Sequence, residues 1–383
     1  MQKKIYFQNL DAIRFIAALM VFFSHRMGQA FEFSGCKVTI IGKVWSLISA
    51  GYIGVILFFV LSGFLITYIL LEEKELSGKI NLRNFYLRRV LRIWPLYFLV
   101  LPFGFFIFPY IYNLEYIFSS NAHRLPYYIT FLSNFEAINA YTQGLVANVD
   151  VRLMQGITWS VAVEEQFYLI WPILFILIKP RYYIFIFIPI IIGSVLFRLH
   201  VQDDYYRLSF HTLAVMVDLA IGGLSAYLVL KYKVVKDFFV KLPLWAASVI
   251  YLAGGFVLLI RDHIEYFVPD AKATVHLFYG VYFSFIILHQ NFSPDSFLKL
   301  GRIKFLTFWG KYSYGIYLLH PIAIGIVSYI VLSLHIVQAN FVNYLLIGFA
   351  SLLLTLGLSY ISYELYEKHF LALKKKFAVI VKE

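Results

Sequence analysis

Apolar stretches long enough to cross a bilayer recur along the whole chain, and they constrain its fold more than any other feature. A membrane-spanning α-helix needs about 20 mostly apolar residues, because the hydrocarbon core of a bilayer is about 30 Å thick. Only 14% of the 383 residues are charged, whereas soluble domains carry about 25%. We therefore predict an all-α, polytopic membrane protein made of one integral membrane domain, residues 1–383, without an appended soluble domain. Its ten transmembrane helices are predicted at 10–27, 47–71, 93–112, 157–178, 182–199, 212–230, 243–260, 273–288, 311–333 and 341–363.

The basic residues indicate how these helices are oriented. If successive segments between the helices lie on alternate sides, 23 of the 33 Lys and Arg residues share the side of the two chain ends, and nine lie opposite. Cytoplasmic loops carry an excess of Lys and Arg, so this asymmetry predicts that both termini are cytoplasmic. The net charge of +12 is therefore largely a topology signal, and we expect no nucleic-acid partner.

The first predicted helix carries two costly ionisable residues, Arg14 and His25. Eleven residues make three helical turns plus about 20° and a rise of about 16 Å, so the two side chains lie on one face. An ionisable group at membrane depth is a functional candidate, and imidazole accepts protons near neutral pH. The alternative is structural, since this spacing also arises by chance and an arginine can extend to the headgroups.

Two further features admit both a binding and a structural interpretation. Ser62 and Gly63 form a small-residue notch in the second helix, which is typical of close helix packing but also leaves room for a ligand. Arg89 and Arg92 lie three residues apart in the densest basic cluster, NLRNFYLRRVLRIWP. Their guanidinium groups are suited to phosphate, although cytoplasmic loops are rich in arginine anyway.

Acidic residues also occur inside predicted helices. Glu164 and Glu165 lie near the depth expected for His25, and adjacent residues cannot share a helix face. One carboxylate is expected to orient the imidazole or bind a hydroxyl, while the other reaches the interface; two interfacial carboxylates are the alternative. For Asp218 and His320 we favour structural roles, as an interhelical contact and a packing residue.

Several reaction types are disfavoured by the residues that are missing. The sequence has no Gly-rich phosphate loop, no nucleophile elbow and no His, Cys and acidic residues at metal-ligand spacing. ATP hydrolysis, a serine triad and zinc chemistry are therefore disfavoured, and no metal is expected. A single cysteine, Cys36, excludes intramolecular disulfides.

Six motifs follow one another in a fixed order along nearly the whole chain. They are LDAIRFIAALMVFFSH, GVILFFVLSGFLI, RRVLRIWPLY, WSVAVEEQFYLIWP, YSYGIYLLHP and SYELYEKHF. In this order they resemble acyltransferase family 3, the integral membrane acyltransferases that include bacterial O-antigen and exopolysaccharide O-acetyltransferases. One departure lies in the last motif, where Lys368 and His369 replace the Arg and Pro often found in the family.

The resemblance implies ten core helices, an acyl-CoA donor (usually acetyl-CoA), and a hydroxyl of a polysaccharide or lipid-linked sugar as acceptor, in a bacterial cytoplasmic (inner) membrane. It implies motif roles for Arg14, His25, Arg89 and Arg92. We expect His25 to be the general base and the acceptor to contact the aromatic outer loops 113–156 and 198–211. The expected catalytic residues are His25, Arg14, Glu164 and Glu165, and the expected CoA-binding residues are Arg89, Arg92, Arg14 and Ser62.

Three alternatives stay open at this point. An acyl-His25 relay is as compatible with the sequence as direct transfer. A transporter or flippase for a lipid-linked saccharide would also keep charges and aromatic residues inside the membrane. A non-catalytic membrane scaffold explains the packing residues but not the ordered motifs.

Overall fold

The computed structural model describes most of the chain. Cys36 and residues 113–122 and 144–155 of loop 113–156 lie outside the described residues. The described residues are 3–4, 7–27, 40–111, 123–143, 156–294, 296, 299–335, 341–377 and 380–381.

The described chain is almost entirely helical, with one pair of two-residue strands. The helices are α1 Gln8–Met27, α2 Ile40–Ile48, α3 Gly51–Ser77, α4 Leu82–Pro102, α5 Ser133–Thr142, α6 Thr158–Leu177, α7 Ile184–His200, α8 Tyr205–Phe210, α9 Thr212–Lys231, α10 Lys233–Lys241, α11 Leu244–Leu259, α12 Arg261–Phe267, α13 Ala271–Phe292, α14 Lys304–Gly310, α15 Ser313–Ser333, α16 Phe341–Ser362 and α17 Lys368–Lys374. Shorter helical segments are Phe103–Ile107, Phe108–Ile111, 123–129, Pro180–Tyr182, Leu300–Arg302, Tyr363–Glu367 and Lys375–Phe377. The strands are β1 Lys3–Lys4 and β2 Ile380–Val381.

Each of the ten segments predicted to span the membrane contains a helix, and eight stretches of the described chain are long and apolar enough to cross a bilayer. The bent pair α10 and α11, which meet at 95°, would make a ninth if counted as one span. The prediction of an all-helical membrane protein is therefore confirmed, while the count of ten stays a prediction. The eight stretches are Gly51–Ser77, Leu82–Ile111, Thr158–Leu177, Pro180–His200, Tyr205–Lys231, Ala271–Phe292, Ser313–Ser333 and Val342–Phe377.

Helix α1 is not among these eight because it is too polar, with Asp11, Arg14 and Arg26 among its 20 residues. It packs against α3, α14, α15 and α16. Charged side chains in a membrane protein are tolerated where they face the bundle interior or a water-filled cavity. The position of α1 among other helices supplies such an environment.

The backbones of helices α3 and α9 approach each other unusually closely where the two helices cross. A Cβ atom on Gly63 would lie 1.9 Å from the carbonyl oxygen of Leu219, and one on Gly222 would lie 2.1 Å from that of Val60. Only glycine permits this approach of two backbones, as is common between membrane helices. Gly63 is therefore a packing residue, and its contact fixes the position of the neighbouring Ser62.

The segment around residues 123–143 is held to the bundle by buried polar groups. The Tyr128 hydroxyl donates to Glu136 over 2.7 Å, and Arg124 also pairs with that carboxylate. Burial raises the pKa of Tyr128, so this hydroxyl keeps its proton and remains a donor. The Gln166 amide on α6 donates to Asn134 on α5 over 2.9 Å. These bonds hold α5 on the ends of the long helices.

The two chain ends meet. Strand β1 pairs in parallel with β2, with Lys3 opposite Ile380 and Lys4 opposite Val381. Both ends therefore lie on one side of the bundle.

Candidate active site

A cavity of about 550 Å³ lies among α1, α3, α4, α6 and the segments around α14, α15 and α17. Its size is within the range of sites that hold small molecules and cofactors. The lining includes five of the residues singled out in the sequence, namely Arg14, Ser62, Arg89, Arg92 and Glu164.

One end of the cavity is strongly basic, and some of its cations already have acidic partners. Arg88 pairs with Glu73 at 2.6 Å, and Arg14 pairs with Asp11 at 3.0 Å. The cations that line this end are Arg14, Arg88, Arg89, Arg92, Lys311, Lys374 and Lys375. Positive charge therefore exceeds negative charge at this end.

Arg89 and Arg92 differ from their neighbour Arg88 in having no ion pair in the described part of the chain. Neither makes an ion pair within 4.0 Å with any residue that the structure describes. The guanidinium of Arg89 lies 5.8 Å from the ring centre of Tyr168, and its buried Nε has no hydrogen-bond partner. A buried polar group without a partner is costly, and arginine matches phosphate oxygens in geometry. This end of the cavity is thus suited to an anion.

Glu164 lies in the wall of the cavity, where it links α3 to α6. Ser62 Oγ donates to one of its carboxylate oxygens over 2.7 Å, and the Tyr168 hydroxyl donates to the other over 2.9 Å. Both oxygens therefore have donors from neighbouring side chains. This carboxylate forms no hydrogen bond with His25 within the described part of the chain.

Glu165 lies on the neighbouring face of α6 and does not line the cavity. One of its oxygens accepts from the Trp94 indole over 3.3 Å, and the other is buried without a partner. Adjacent helical residues point about 100° apart, which explains why only one of the two glutamates reaches the cavity.

At the other end, the cavity is lined by side chains from α6 and α15, among them Ser160 and Tyr317. The Ser160 and Tyr317 hydroxyls are 2.6 Å apart, and Tyr317 donates to the carbonyl of Ile157 over 3.0 Å. The Tyr317 ring centre is 6.0 Å from that of His320. His320 is 1% exposed and does not line the cavity.

His25 does not line the cavity but contacts His320, whose ring lies next to that of the lining residue Tyr317. Nδ1 of His25 is 2.8 Å from Nε2 of His320, and the side chain of His25 is exposed. The imidazole of His25 is therefore held by another histidine, rather than by Glu164 or Glu165 as the sequence suggested. Sequence reasoning assigned His320 to packing. The available signal was Tyr317 and His320 three residues apart on one helix, which places both on one side of α15.

Comparisons with known proteins agree with the motifs. A family model described as an acyltransferase domain matches residues 7–364. A protein of Staphylococcus aureus (strain COL), named as a predicted O-acetyltransferase, is 27% identical over 347 residues, covering 85% of this chain and 52% of that protein. The O-acetyltransferase OatA of S. aureus (strain NCTC 8325 / PS 47) is 29% identical over 343 residues, with the same coverage of 85% and 52%. The chain thus spans about half the length of the curated relatives it matches.

No solved structure shows significant similarity to the chain. The family model, however, covers the first five of the six ordered motifs and the first three residues of SYELYEKHF. Its match includes every side chain from Asp11 to Tyr363 that lines the cavity. From its sequence and the extent of this match, the chain belongs to acyltransferase family 3.

Proposed function

We propose that this protein is a membrane-embedded O-acyltransferase that moves an acyl group from acyl-CoA to a hydroxyl of a cell-surface polysaccharide or lipid-linked sugar. An acetyl group is favoured because the relatives are named O-acetyltransferases. The observation that carries the proposal is one cavity with Arg89 and Arg92, which have no acidic partner among the described residues, at one end and an exposed histidine, His25, near the other.

The basic end of the cavity would hold the phosphates of CoA. Arg89 and Arg92 have no acidic partner among the described residues, so binding an anionic group costs them no existing ion pair. Charge-assisted bonds from arginine to phosphate are short and strong. The exposed side chains of Lys311 and Lys375 line the same end, which leaves the nucleotide open to solvent.

The pantetheine arm would extend along α1 toward His25. From Arg14 to His25 the helix rises about 16 Å. Phe58, Phe59 and Val55 line the cavity along this path and suit an extended, mostly uncharged arm. Because the Glu164 oxygens accept from Ser62 and Tyr168, we assign Glu164 to the wall of this channel rather than to proton transfer.

At the far end, His25 would act as the general base. It takes the proton of the acceptor hydroxyl while that oxygen attacks the thioester carbonyl carbon. The new carbon–oxygen bond forms, the carbon–sulfur bond breaks, and the departing thiolate takes the proton from the His25 imidazolium. The base is thereby regenerated, and no metal or covalent enzyme intermediate is required.

The proposed orientation follows from the location of acyl-CoA. This donor is cytoplasmic, so the basic end would face the cytoplasm of a bacterial cell and His25 would lie toward the outer side of its membrane. The excess of Lys and Arg on the side of the two chain ends supports the same orientation.

The test uses the purified protein in nanodiscs, radiolabelled acetyl-CoA and a panel of glycan acceptors. We expect label transfer by the wild type and none by His25→Ala, with CoA affinity and thermal stability unchanged. Full transfer by a folded His25→Ala variant would show that another group is the base. Translocation of a lipid-linked saccharide without consumption of acetyl-CoA would instead establish a transporter.

A further inference from the structure

His320 has different partners at its two ring nitrogens. Its Nε2 faces Nδ1 of His25 at 2.8 Å, and its Nδ1 lies 3.2 Å from the carbonyl oxygen of Ile316. The carbonyl of Tyr317 also interacts with this ring. Pro321 follows directly and has no N–H, so the Tyr317 carbonyl lacks its usual partner one helical turn later.

These partners define where the proton of His320 lies. A carbonyl oxygen can only accept a hydrogen bond, so Nδ1 of His320 must carry a hydrogen. His320 is 1% exposed, and no carboxylate in the described part of the chain bonds to it. Because an unpaired buried charge is costly, the ring is neutral and carries this one proton. Its Nε2 therefore presents a lone pair to His25.

The relative orientation of the two rings makes this contact a well-aligned hydrogen bond. The ring planes are 9° apart, and the ring centres are 5.1 Å apart. Two nearly parallel rings with nitrogens only 2.8 Å apart cannot be stacked face to face. They lie edge to edge, so the Nδ1–H bond of His25 points along the lone pair of His320.

We propose that His320 is a positioning residue that holds His25 in its Nδ1–H tautomer, so that Nε2 of His25 carries the lone pair. The hydrogen bond at one ring nitrogen determines the state of the other. The exposed side of His25 would thereby present a base rather than a donor to the acceptor hydroxyl. The assignment of this lone pair to catalysis rests on the proposed function, whereas the tautomer itself does not.

The tautomer is measured by nitrogen NMR on the full chain labelled with 15N-histidine in nanodiscs. Signals missing from His25→Ala identify His25 among the ten histidines. We expect a protonated Nδ1 and a bare Nε2 in the wild type. In His320→Ala the partner is lost, and His25 should exchange between its two neutral tautomers.

Matched variants separate positioning from general structural damage. His320→Gln places a carbonyl oxygen near the former Nε2, so it should restore the Nδ1–H tautomer of His25. We expect His320→Ala to lower kcat by about 10- to 100-fold, the range seen when a metal-bound histidine loses its orienting partner, with KM for acetyl-CoA unchanged. His320→Gln should recover most of this loss. His276→Gln is the matched control, because His276 is bonded to Asp218 and does not line the cavity. It should alter neither kcat nor the KM for acetyl-CoA.

Two results would overturn the proposal. One is an Nε2–H tautomer of His25 in the wild type, or an unchanged Nδ1–H tautomer in His320→Ala. The other is an inactive His320→Gln variant with the wild-type tautomer, because His320 would then have to move a proton itself. If the tautomer is as proposed but His25→Ala transfers acyl groups normally, the positioning of His25 stands and the proposed role of His25 fails.

Discussion

Neighbouring arginines on α4 differ in what compensates their charge. Arg88 is buried and bonded to Glu73, and its other amino group donates to the carbonyl of Phe377 over 2.7 Å. Arg89 and Arg92 lack such an acidic partner within the described residues. Three arginines of one basic cluster thus divide into one that holds the fold together and two that are available to a ligand.

Removing either available guanidinium should weaken CoA binding. We expect Arg89→Ala and Arg92→Ala each to raise the Kd for CoA by about 10- to 100-fold, since a hydrogen bond to a charged group contributes about 1.5–3 kcal/mol. Isothermal titration calorimetry on purified protein measures this. Arg83→Ala, at an exposed position of the same helix outside the cavity, is the control and should bind normally. Equal weakening in all three variants would indicate a nonspecific charge effect.

Breaking the Arg88–Glu73 pair should instead reduce stability. Glu73 is 1% exposed, so Arg88→Ala leaves a buried carboxylate without its counter-ion. The expected loss is about 3–5 kcal/mol of unfolding free energy, seen as a lower midpoint in thermal unfolding. The double variant Glu73→Ala with Arg88→Ala should be more stable than either single variant. A double variant as unstable as the sum of both changes would contradict this explanation.

Helix crossings determine which residues face the cavity. Gly63 faces α9, while Ser62 one position earlier bonds to Glu164. The small-residue notch thus packs closely against α9 at Gly63, while the adjacent Ser62 lines the cavity. Close packing on one side of α3 fixes the rotation of the helix, and that rotation directs Ser62 into the cavity.

A methyl group at this crossing should separate the two helices. Gly63→Ala and Gly222→Ala each place a carbon about 2 Å from a backbone oxygen, so we expect a loss of about 1–3 kcal/mol from overpacking. Thermal unfolding in detergent measures it. Gly193→Ala and Gly255→Ala are matched controls, because nothing lies within 4 Å of an added Cβ there. Comparable losses in the controls would rule out a special role for the crossing.

The whole molecule combines a charged helix, α1, with an apolar exterior. Asp11 and Arg14 on α1 line the cavity. Helix α1 packs against four of the eight candidate spans, namely Gly51–Ser77, Ala271–Phe292, Ser313–Ser333 and Val342–Phe377. Both chain ends lie on one side, and the proposed orientation makes that side cytoplasmic.

Cysteine labelling tests this orientation directly. With Cys36 replaced by Ser, Lys376→Cys near the C-terminal end should react with an impermeant maleimide only after the cytoplasmic face is opened. Asn139→Cys on α5 is exposed and should react in intact cells. The reverse pattern would require the opposite orientation and would place the basic end of the cavity outside.

Much of this organisation is local and was predictable. Helix positions follow from runs of apolar residues, and the expected association of Arg14, Arg89 and Arg92 follows from charges that a bilayer excludes. Ser62 and Glu164, which the sequence assigned to CoA binding and to catalysis, both line the cavity, and these roles stay predictions. The span count was less predictable, because α1 is a polar helix enclosed by others and α11 continues from α10 through a sharp bend.

The sequence by itself determined the helical membrane architecture and the residues too costly to keep in lipid without a role. Only the tertiary structure decided their partners. His25 meets His320 across 295 positions, Arg88 rather than Arg89 meets Glu73, and Glu164 rather than Glu165 reaches the cavity. Apolar length and helical spacing are properties of one segment. The rotation and contacts of each helix depend on packing against helices far away in the chain, such as the crossing of α3 and α9.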